Sequence, residues 1–256
     1  VRSLHSGHYG NFAPVPGQMM AHLLASMKDE RGKVLIEGFF DSTAPITEAD
    51  RAAIAAMPAY DGQIRDELGI SWSESDNALL AERLLYPSLT IQGMTSGNTG
   101  KLARNVIPST ASANIGMRLA KGNDPDKMMD LVEEHIRKQG YHIVRREPDM
   151  DTRLAHDKIA LVHRRDGYPA SRTPIDIPIS QNIISAIKRI DDRRPVLLPT
   201  YGASLPVFHF TQNSKVPLLI IPIANFDNNQ HAPDENLRIG NLWYGIDLYA
   251  SLFTMP

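Results

Sequence analysis

A polar stretch near the C-terminal end separates two apolar segments, and this order constrains the fold more than any other feature of the chain. Residues 225–236 read Asn-Phe-Asp-Asn-Asn-Gln-His-Ala-Pro-Asp-Glu-Asn. The preceding residues 218–223 are apolar and predict a strand that is buried on both faces. Residues 236–253 carry apolar side chains at helical spacing. A strand, a polar loop and a helix in this order indicate an α/β arrangement, whose loops commonly hold functional side chains.

Composition excludes several classes of function. The chain has 256 residues and a formal net charge of -2, so we expect neither nucleic acid nor a membrane surface as a partner. There is no cysteine, and any metal must therefore be held by His, Asp or Glu. No apolar run approaches the roughly 20 residues of a membrane-spanning helix. We expect a cytoplasmic protein, with the periplasm and secretion as open alternatives.

The first part of the chain mixes strand and helix patterns. Apolar and polar residues alternate over 111–119, and this period of two predicts a strand with one packed face. Asp124 precedes Pro125, a pair typical of a helix start, and that helix extends to Gly140. Similar patterns predict a helix over 14–31, a capping box at Thr47 and Asp50, and strands over 33–36, 88–94, 141–145 and 158–163.

A change of composition suggests a domain boundary. Residues 164–178 are rich in Pro, Gly and charge, and we place the boundary after residue 168. Beyond it, Ser180 is expected to cap a helix that extends to about residue 192. Residues 195–198 predict a short strand, and a turn at 202–206 leads into another helix. Residues 1–4 resemble the end of a strand, so we expect a preceding portion of the protein to be missing from this chain.

His231 is the histidine that most needs an explanation, because the asparagines and aspartates around it favour turns. Asp227, Asp234 and Glu235 could orient its imidazole. Two interpretations stay open: His231 is a metal ligand, or it is a solvated residue in a loop where Asp234 caps the next helix. One histidine is a weak metal signal, since zinc usually takes three or four protein ligands.

Three further residues are candidates for substrate contact. His5 lies in the sequence Leu-His-Ser-Gly-His-Tyr-Gly, where glycine lets the backbone approach a ligand closely, or where the chain is a flexible loop. His5 and His8 could also chelate a metal together. Arg118 is on the polar face of the alternating strand, either as a solvated arginine or as a fork for a substrate carboxylate. Asn105 could donate its side-chain amide.

Taken in chain order, five segments resemble the motifs of one family. They are Leu4-His5-Ser6-Gly7, Asn105-Val106-Ile107-Pro108, Arg118-Leu119, Gly202-Ala203-Ser204-Leu205-Pro206-Val207 and Asn228-Asn229-Gln230-His231-Ala232. They are similar to the successive motifs of the dinuclear zinc metallopeptidases, which include carnosinases, aminoacylases and succinyl-diaminopimelate desuccinylase. Each motif is modest alone, whereas five in order are specific. The carnosinase-like dipeptidase branch is the most similar.

The resemblance implies a fold with two parts. Residues 1–168 would form a lid, or dimerisation domain, as an α+β two-layer sandwich. Residues 169–256 would form the C-terminal part of an α/β zinc-exopeptidase-like catalytic domain, whose N-terminal part is absent from this chain. The same resemblance implies a homodimer through the lid and a substrate that is a small peptide or an N-acyl amino acid.

The resemblance also implies roles for single residues. His231 matches the last metal ligand, and His5 matches a lid histidine that enters the neighbouring subunit's active site and stabilises an oxyanion. Asn105 and Arg118 match residues that hold the C-terminal end of the substrate. The turn that lines the substrate pocket is matched by Gly202, Ala203 and Ser204. Such enzymes hydrolyse a peptide or amide bond with water activated by two zinc ions, for which manganese or cobalt can substitute.

One departure from the family pattern concerns the metal site. The family's other ligands and its general-base glutamate precede the lid, in a segment with a His-x-Asp motif that this sequence lacks. We therefore expect the chain by itself to be inactive. The alternative function is that of a non-catalytic dimerisation and substrate-contact fragment.

Overall fold

The computed structural model of the chain describes residues 2–191, 193, 195–203, 205, 207–225 and 227–255, without the side chains of residues 212 and 213. The chain forms two compact units. Unit 1 comprises Val1–Ala44 and Asp61–Ala170, and unit 2 comprises Pro45–Tyr60 and Ser171–Pro256. The assignment of residues 1–168 to a lid stays a prediction. The grouping of residues 45–60 with the later unit was not predicted.

Short helices and short strands make up the fold. The helices, in chain order, are α1 (Ser6–Tyr9), α2 (Pro16–Met27), α3 (Glu48–Ala55), α4 (Asp61–Leu68), α5 (Glu74–Asn77), α6 (Leu80–Arg83), α7 (Pro125–Lys138), α8 (Met150–Ala155), α9 (Pro178–Lys188), α10 (Phe208–Asn213) and α11 (Ile239–Phe253). The strands are β1 (Leu4–His5), β2 (Ser88–Thr95), β3 (Val106–Ile107), β4 (Ser112–Arg118), β5 (His142–Val144) and β6 (Ile159–Leu161). Within α5, Ser75 and Asp76 have a left-handed backbone, with φ of 60° and 56°.

The strands of unit 1 form three pairs. β1 pairs with β3 and β2 pairs with β4, both antiparallel, whereas β5 and β6 are parallel. The register of the β2–β4 pair extends from Ser88 opposite Arg118 to Thr95 opposite Ser112. The predicted alternation is confirmed, because the apolar side of β4 packs on the core while Ser112 and Arg118 are exposed. The two-layer arrangement of the sandwich stays a prediction.

Two predictions for unit 1 need correction. The strand over 33–36 is wrong, since the described backbone there forms only an isolated bridge between Lys28 and Val34. The helix over 14–31 is shorter than predicted. It begins with Pro16 in its first turn, where the missing N–H would have no helical partner. It ends at Met27, because the backbone of the next residue, Lys28, is extended (φ -149°, ψ 133°).

The core of unit 1 lies between α2, α7 and the β2–β4 pair. Met27, Leu89 and Met128 are fully or almost fully buried at its centre. Burial of each such side chain stabilises the fold by about 1.5–3 kcal/mol. The cluster of buried residues is Leu23, Leu24, Met27, Val34, Ile36, Phe39, Leu89, Met128 and Ile136.

The start of α7 depends on a tight turn. Asp124 caps the helix as predicted, because its side chain accepts a hydrogen bond from Lys127 N at 3.0 Å. Asn123, just before it, is 2% exposed and donates to Ser42 Oγ at 2.9 Å. Gly122 has φ +100°, and a Cβ there would lie 2.2 Å from Ser42 O. Only glycine fits this close approach without distortion.

Glu133 is the centre of an ion-pair network on α7. Its side chain is 2% exposed, and its carboxylate accepts hydrogen bonds from Arg145 at 2.6 and 2.7 Å and from Arg164 Nε at 2.7 Å. Arg137, one turn further along α7, donates at 3.2 Å. A buried carboxylate without such partners would strongly destabilise the fold. The Arg164 hydrogen bond first, and Arg145 with it, hold the pKa of Glu133 at about 2, against an ordinary value of 4.5.

Unit 2 joins residues 45–60 to the C-terminal part of the chain. The predicted capping box at Thr47 and Asp50 is confirmed, with the two reciprocal hydrogen bonds at 2.9 and 3.1 Å. Arg172 donates to Pro45 O at 2.8 Å and lies 3.9 Å from the buried carboxylate of Asp50. The box therefore both starts α3 and helps to hold it against the later segment.

The helices α9 and α11 pack together in unit 2. Leu248 of α11 is fully buried, and Ser251 Oγ donates to Ala186 O of α9 at 2.7 Å. Arg189 donates to Ser251 O at 2.8 Å. Ser180 does not cap α9 as predicted. It is buried inside the first turn and donates to Pro174 O at 2.8 Å, while Ile177 is at the N-cap.

The strands predicted over 195–198 and 218–223 are wrong, since neither segment pairs in a ladder with any residue that the structure describes. At the start of the second segment, a side chain takes the place of a neighbouring strand. Leu218 N donates to Thr173 Oγ1 at 2.9 Å, and that hydroxyl donates to Leu218 O at 2.7 Å. The helix predicted over 236–253 is present but begins at Ile239.

No helix in the described ranges is both long enough and apolar enough to cross a membrane.

Replacing Glu133 by Gln is expected to lower the free energy of unfolding of unit 1 by about 2–3 kcal/mol at pH 7. The arginines lose the charge of their buried partner, although Arg164 keeps its ion pair with Asp130. Solvent around these partly exposed side chains also moderates the effect. The chain has two tryptophans, so Trp72 fluorescence reports on unit 1 in a Trp243→Phe background during urea denaturation.

The matched control is Glu134→Gln, because Glu134 is 55% exposed and lies 3.8 Å from Arg137. We expect this control to change stability by less than about 0.5 kcal/mol. Because the folded-state pKa of Glu133 is lowered, its contribution is present above about pH 4.5 and is lost as the pH falls towards 2. The difference in free energy of unfolding between the wild type and Glu133→Gln should disappear over that range. A difference that does not depend on pH would contradict a stabilising role for the Glu133 charge.

Candidate functional site

The pairing of β1 with β3 brings two of the predicted site residues together. His5 lies opposite Val106, and the backbone N–H of Ser6 donates to Asn105 O at 3.1 Å. His5 and Asn105 are both exposed. Residues far apart in sequence are therefore neighbours on one surface of unit 1, in an arrangement that could contact a single small ligand.

A local hydrogen bond orients the His5 ring. His5 is the N-cap residue of α1, and its Nδ1 accepts the backbone N–H of Gly7 at 3.0 Å. A neutral imidazole has one donor and one acceptor nitrogen. Because Nδ1 accepts, Nε2 carries the proton and is the hydrogen-bond donor. The sequence did not predict this tautomer.

Gly7 and His8 complete the surroundings of His5. A Cβ at residue 7 would lie 3.0 Å from His5 Cε1, so a side chain there would press on the ring. The His5 and His8 rings stack, with centroids 4.4 Å apart and planes inclined by 25°. The nitrogen lone pairs of stacked rings lie in separate planes and do not converge on one ion. Chelation by the His-x-x-His pair is therefore not supported by this geometry.

Arg118 belongs to a different strand pair of unit 1. It is exposed, at the end of β4 that pairs with Ser88. β3 leads into the opposite end of β4, at Ser112, where Ser96 Oγ donates to Thr110 O at 3.4 Å. At about 3.3 Å per residue, Arg118 is roughly 20 Å along the strand from Ser112. Arg118 is therefore at the end of β4 that is remote from the connection to β3.

The loop with His231 is held by a buried asparagine. Asn225 is 6% exposed, and its Nδ2 donates to Asp227 Oδ1 at 2.9 Å and to Asn236 Oδ1 at 3.2 Å. Its Oδ1 accepts the backbone N–H of Arg238 at 3.0 Å. One amide therefore ties together the two ends of the loop, just before α11. No signal in the sequence distinguishes Asn225 from the other asparagines nearby.

His231 is exposed at the tip of this loop. Its φ is +64°, in the left-handed region that few residues other than glycine adopt. Asn229 and Asp234 share this conformation, with φ of 56° and 64°. Strained backbone of this kind is found at functional sites when the surrounding structure enforces it. Here the hydrogen bonds within the loop hold the backbone in this conformation.

The carboxylate of Asp227 serves the loop itself. The hydrogen bond from Asn225, followed by the nearby Arg238, lowers the pKa of Asp227. Arg238 donates to Asp227 Oδ2 at 2.5 Å. Asp227 thus helps to hold the loop, and its predicted use in orienting His231 stays a prediction.

The described residues do not form a metal site by themselves. No group of three or more His, Asp or Glu residues within the described ranges could hold a metal ion. A dinuclear site that includes His231 would need its other ligands from outside these residues.

The predicted substrate-pocket turn is described in part. Gly202 and Ala203 are exposed, and Ala203 N donates to Tyr201 O at 2.9 Å. Ser204 lies outside the described residues. The role of this turn in substrate binding stays a prediction.

Three comparisons identify proteins that are similar to this chain. The family model of the M20 peptidase dimerisation domain matches residues 2–144. The Cys-Gly metallodipeptidase DUG1 of Candida albicans is 25% identical over 244 residues, which cover 93% of this chain and 47% of that protein. The Beta-Ala-His dipeptidase of Rattus norvegicus is 22% identical over 259 residues, which cover 98% of this chain and 49% of that protein.

A solved structure supports the fold. The M20 family metallo-carboxypeptidase Sso-CP2 from Sulfolobus solfataricus matches with a TM-score of 0.80 and 23% identity, over 100% of this chain and 55% of that chain. At this level of identity the match concerns the fold alone. The chain spans about half the length of the curated relatives it matches.

Replacing Asn225 by Ala is expected to lower the free energy of unfolding of unit 2 by about 1–3 kcal/mol, because the part-buried N–H of Arg238 loses its acceptor. Trp243 fluorescence in a Trp72→Phe background measures this change, since Trp243 is in unit 2. The control is Asn182→Ala, which alters an exposed asparagine on α9 and should change stability by less than about 0.5 kcal/mol. Equal effects of the two variants would refute the role of Asn225.

Proposed function

The chain belongs to the M20 peptidases, whose dimerisation domain matches its residues 2–144, and we propose on this basis that it takes part in metal-dependent hydrolysis of a dipeptide or an N-acyl amino acid. The family match is the observation that carries the proposal. It also confirms the resemblance that the ordered sequence motifs indicated. Both relatives compared above are named as dipeptidases, one for Cys-Gly and one for Beta-Ala-His, which favours a dipeptide substrate.

In this proposal His5 stabilises the oxyanion that forms when water attacks the scissile carbonyl. An oxyanion needs a donor that is already oriented towards it, and such a donor contributes about 10²–10³ to kcat. The hydrogen bond from Gly7 N to Nδ1 supports this role, because it leaves Nε2–H as the exposed donor. Asn105 lies next to His5 and would contact the same substrate.

The position of Arg118, at the end of β4 remote from the connection to β3, supports a site assembled from two subunits. Arg118 would bind the substrate's terminal carboxylate with its guanidinium fork. A dipeptide in extended conformation spans only about 7 Å. One dipeptide therefore does not bridge the roughly 20 Å of β4 that separates the two ends of this strand pair. In a homodimer, His5 of one subunit would enter the partner's site, and His5 and Arg118 from different subunits would contact the same dipeptide.

The metal requirement would be met only in part by this chain. His231 is proposed as one ligand of a site for two zinc ions, where manganese or cobalt could substitute. When bound, such ions lower the pKa of water and polarise a carbonyl. The part of the chain that the structure describes does not complete this metal site. Gly202 and Ala203 are proposed only to line the substrate pocket.

In the intact gene product, His5→Ala is expected to lower kcat for the dipeptide by about 10²–10³, while zinc content by mass spectrometry of metals stays at the wild-type level. His231→Ala should instead reduce both zinc content and activity, because a metal ligand is lost. The two variants thus serve as controls for each other. Unchanged turnover of His5→Ala would rule out its oxyanion role, and unchanged zinc in His231→Ala would rule out its role as a ligand.

A second function is favoured by the incomplete metal site and by a family match confined to a dimerisation domain. The 256-residue chain would then act as a dimerisation and substrate-contact module without catalysis of its own. We expect this chain to dimerise in light scattering but to bind no stoichiometric zinc and cleave no dipeptide, beside the intact gene product as control. Bound zinc together with dipeptidase activity in the chain alone would contradict this second function.

A further inference from the structure

We propose that His8 is a positioning residue that holds the His5 ring in its donor orientation by stacking on one of its faces. This inference rests on the oxyanion role proposed for His5. The two rings are three residues apart around the single turn of α1, with centroids 4.4 Å apart and planes inclined by 25°. Side chains at this spacing on a helix are neighbours.

Two contacts of different kinds restrict His5. The hydrogen bond from Gly7 N fixes which edge of the ring faces the backbone, but it acts on Nδ1 alone. The stacked ring of His8 opposes rotation of His5 out of that plane. An exposed side chain without such a contact changes rotamer on the picosecond to nanosecond scale. A donor that must meet a developing charge acts best when its orientation is held in advance.

His8 is itself supported by its neighbour. The ring of Tyr9 packs edge-on against it, with centroids 6.3 Å apart and planes at 63°. Both His5 and His8 are exposed, so burial in a core does not explain the stack. The stack involves the same ring whose Nδ1 accepts the Gly7 N–H. This arrangement favours a role in orienting His5 over a role in the stability of unit 1.

The expected effect is modest and specific to the chemical step. An aromatic pair of this type corresponds to roughly 2- to 10-fold in rate or equilibrium. In the intact dimeric enzyme, His8→Ala should lower kcat for Cys-Gly or Beta-Ala-His, whichever the wild type cleaves, by that factor. KM should stay within about twofold, since a loosened oxyanion donor affects the transition state more than substrate binding. His8→Phe, which keeps an aromatic ring, should restore most of the loss.

The experiment is a double-mutant cycle with His5→Ala, His8→Ala and the double variant. If His8 acts through His5, the double variant has the kcat of His5→Ala alone. His22→Ala is the matched control, because His22 is an exposed histidine on α2 that contacts Gln18 at 3.0 Å. The kcat of His22→Ala should stay within about twofold of the wild-type kcat.

Three results overturn the inference: a wild-type kcat in His8→Ala, equal losses in His8→Ala and His8→Phe, or a further loss in the double variant relative to His5→Ala. The cycle also separates this inference from the proposed function. If His5→Ala lowers kcat and His8→Ala does not, only the role of His8 fails. If His5→Ala itself has wild-type kcat, the oxyanion role of His5 fails and the role of His8 fails with it.

Discussion

A single buried carboxylate, that of Glu133, links the elements that form the body of unit 1. It sits on α7 and receives guanidinium groups from Arg145 after β5 and from Arg164 after β6. Two other residues of α7, Met128 and Ile136, lie in the core with Leu89 of β2. The charge cluster and the apolar cluster therefore hold the same helix. Because the ion pairs are partly open to solvent and the core is not, the core supplies most of the stability. The ion pairs determine how α7 lies on the parallel strands.

The surface that carries the candidate chemistry is built from much shorter elements. β1 and β3 contribute two residues each, and one backbone hydrogen bond beyond the pair joins Ser6 to Asn105. α1 is a single turn that begins at His5. Small elements of this kind contribute little stability, but they orient exposed side chains relative to a rigid neighbour. The His5 ring receives its orientation from its own turn, through Gly7 and His8, and its position from the pairing with β3.

Local patterns made much of the fold predictable. The alternation in β4, the Asp124 cap and the Thr47–Asp50 capping box each depend on residues a few positions apart, and each is found in the structure. The family was predictable because its motifs occur in order along the chain. The wrong predictions concern residues whose conformation depends on contacts beyond their immediate neighbours in the sequence. Residues 218–223 have the composition of a strand, yet Thr173 bonds the backbone of Leu218 where a neighbouring strand would pair. Ser180 has the chemistry of a helix cap, yet it is buried within α9.

The sequence by itself determined the membership in a peptidase family, the candidate residues and the starts of α3 and α7, because these depend on residue type and spacing along the chain. Only the tertiary structure decided that Asn105 lies beside His5, that Arg118 occupies the far end of β4, and that no metal cluster forms among the described residues. It also decided which His5 nitrogen donates. Contacts between distant segments depend on how the whole chain folds, and no local sequence pattern determines them.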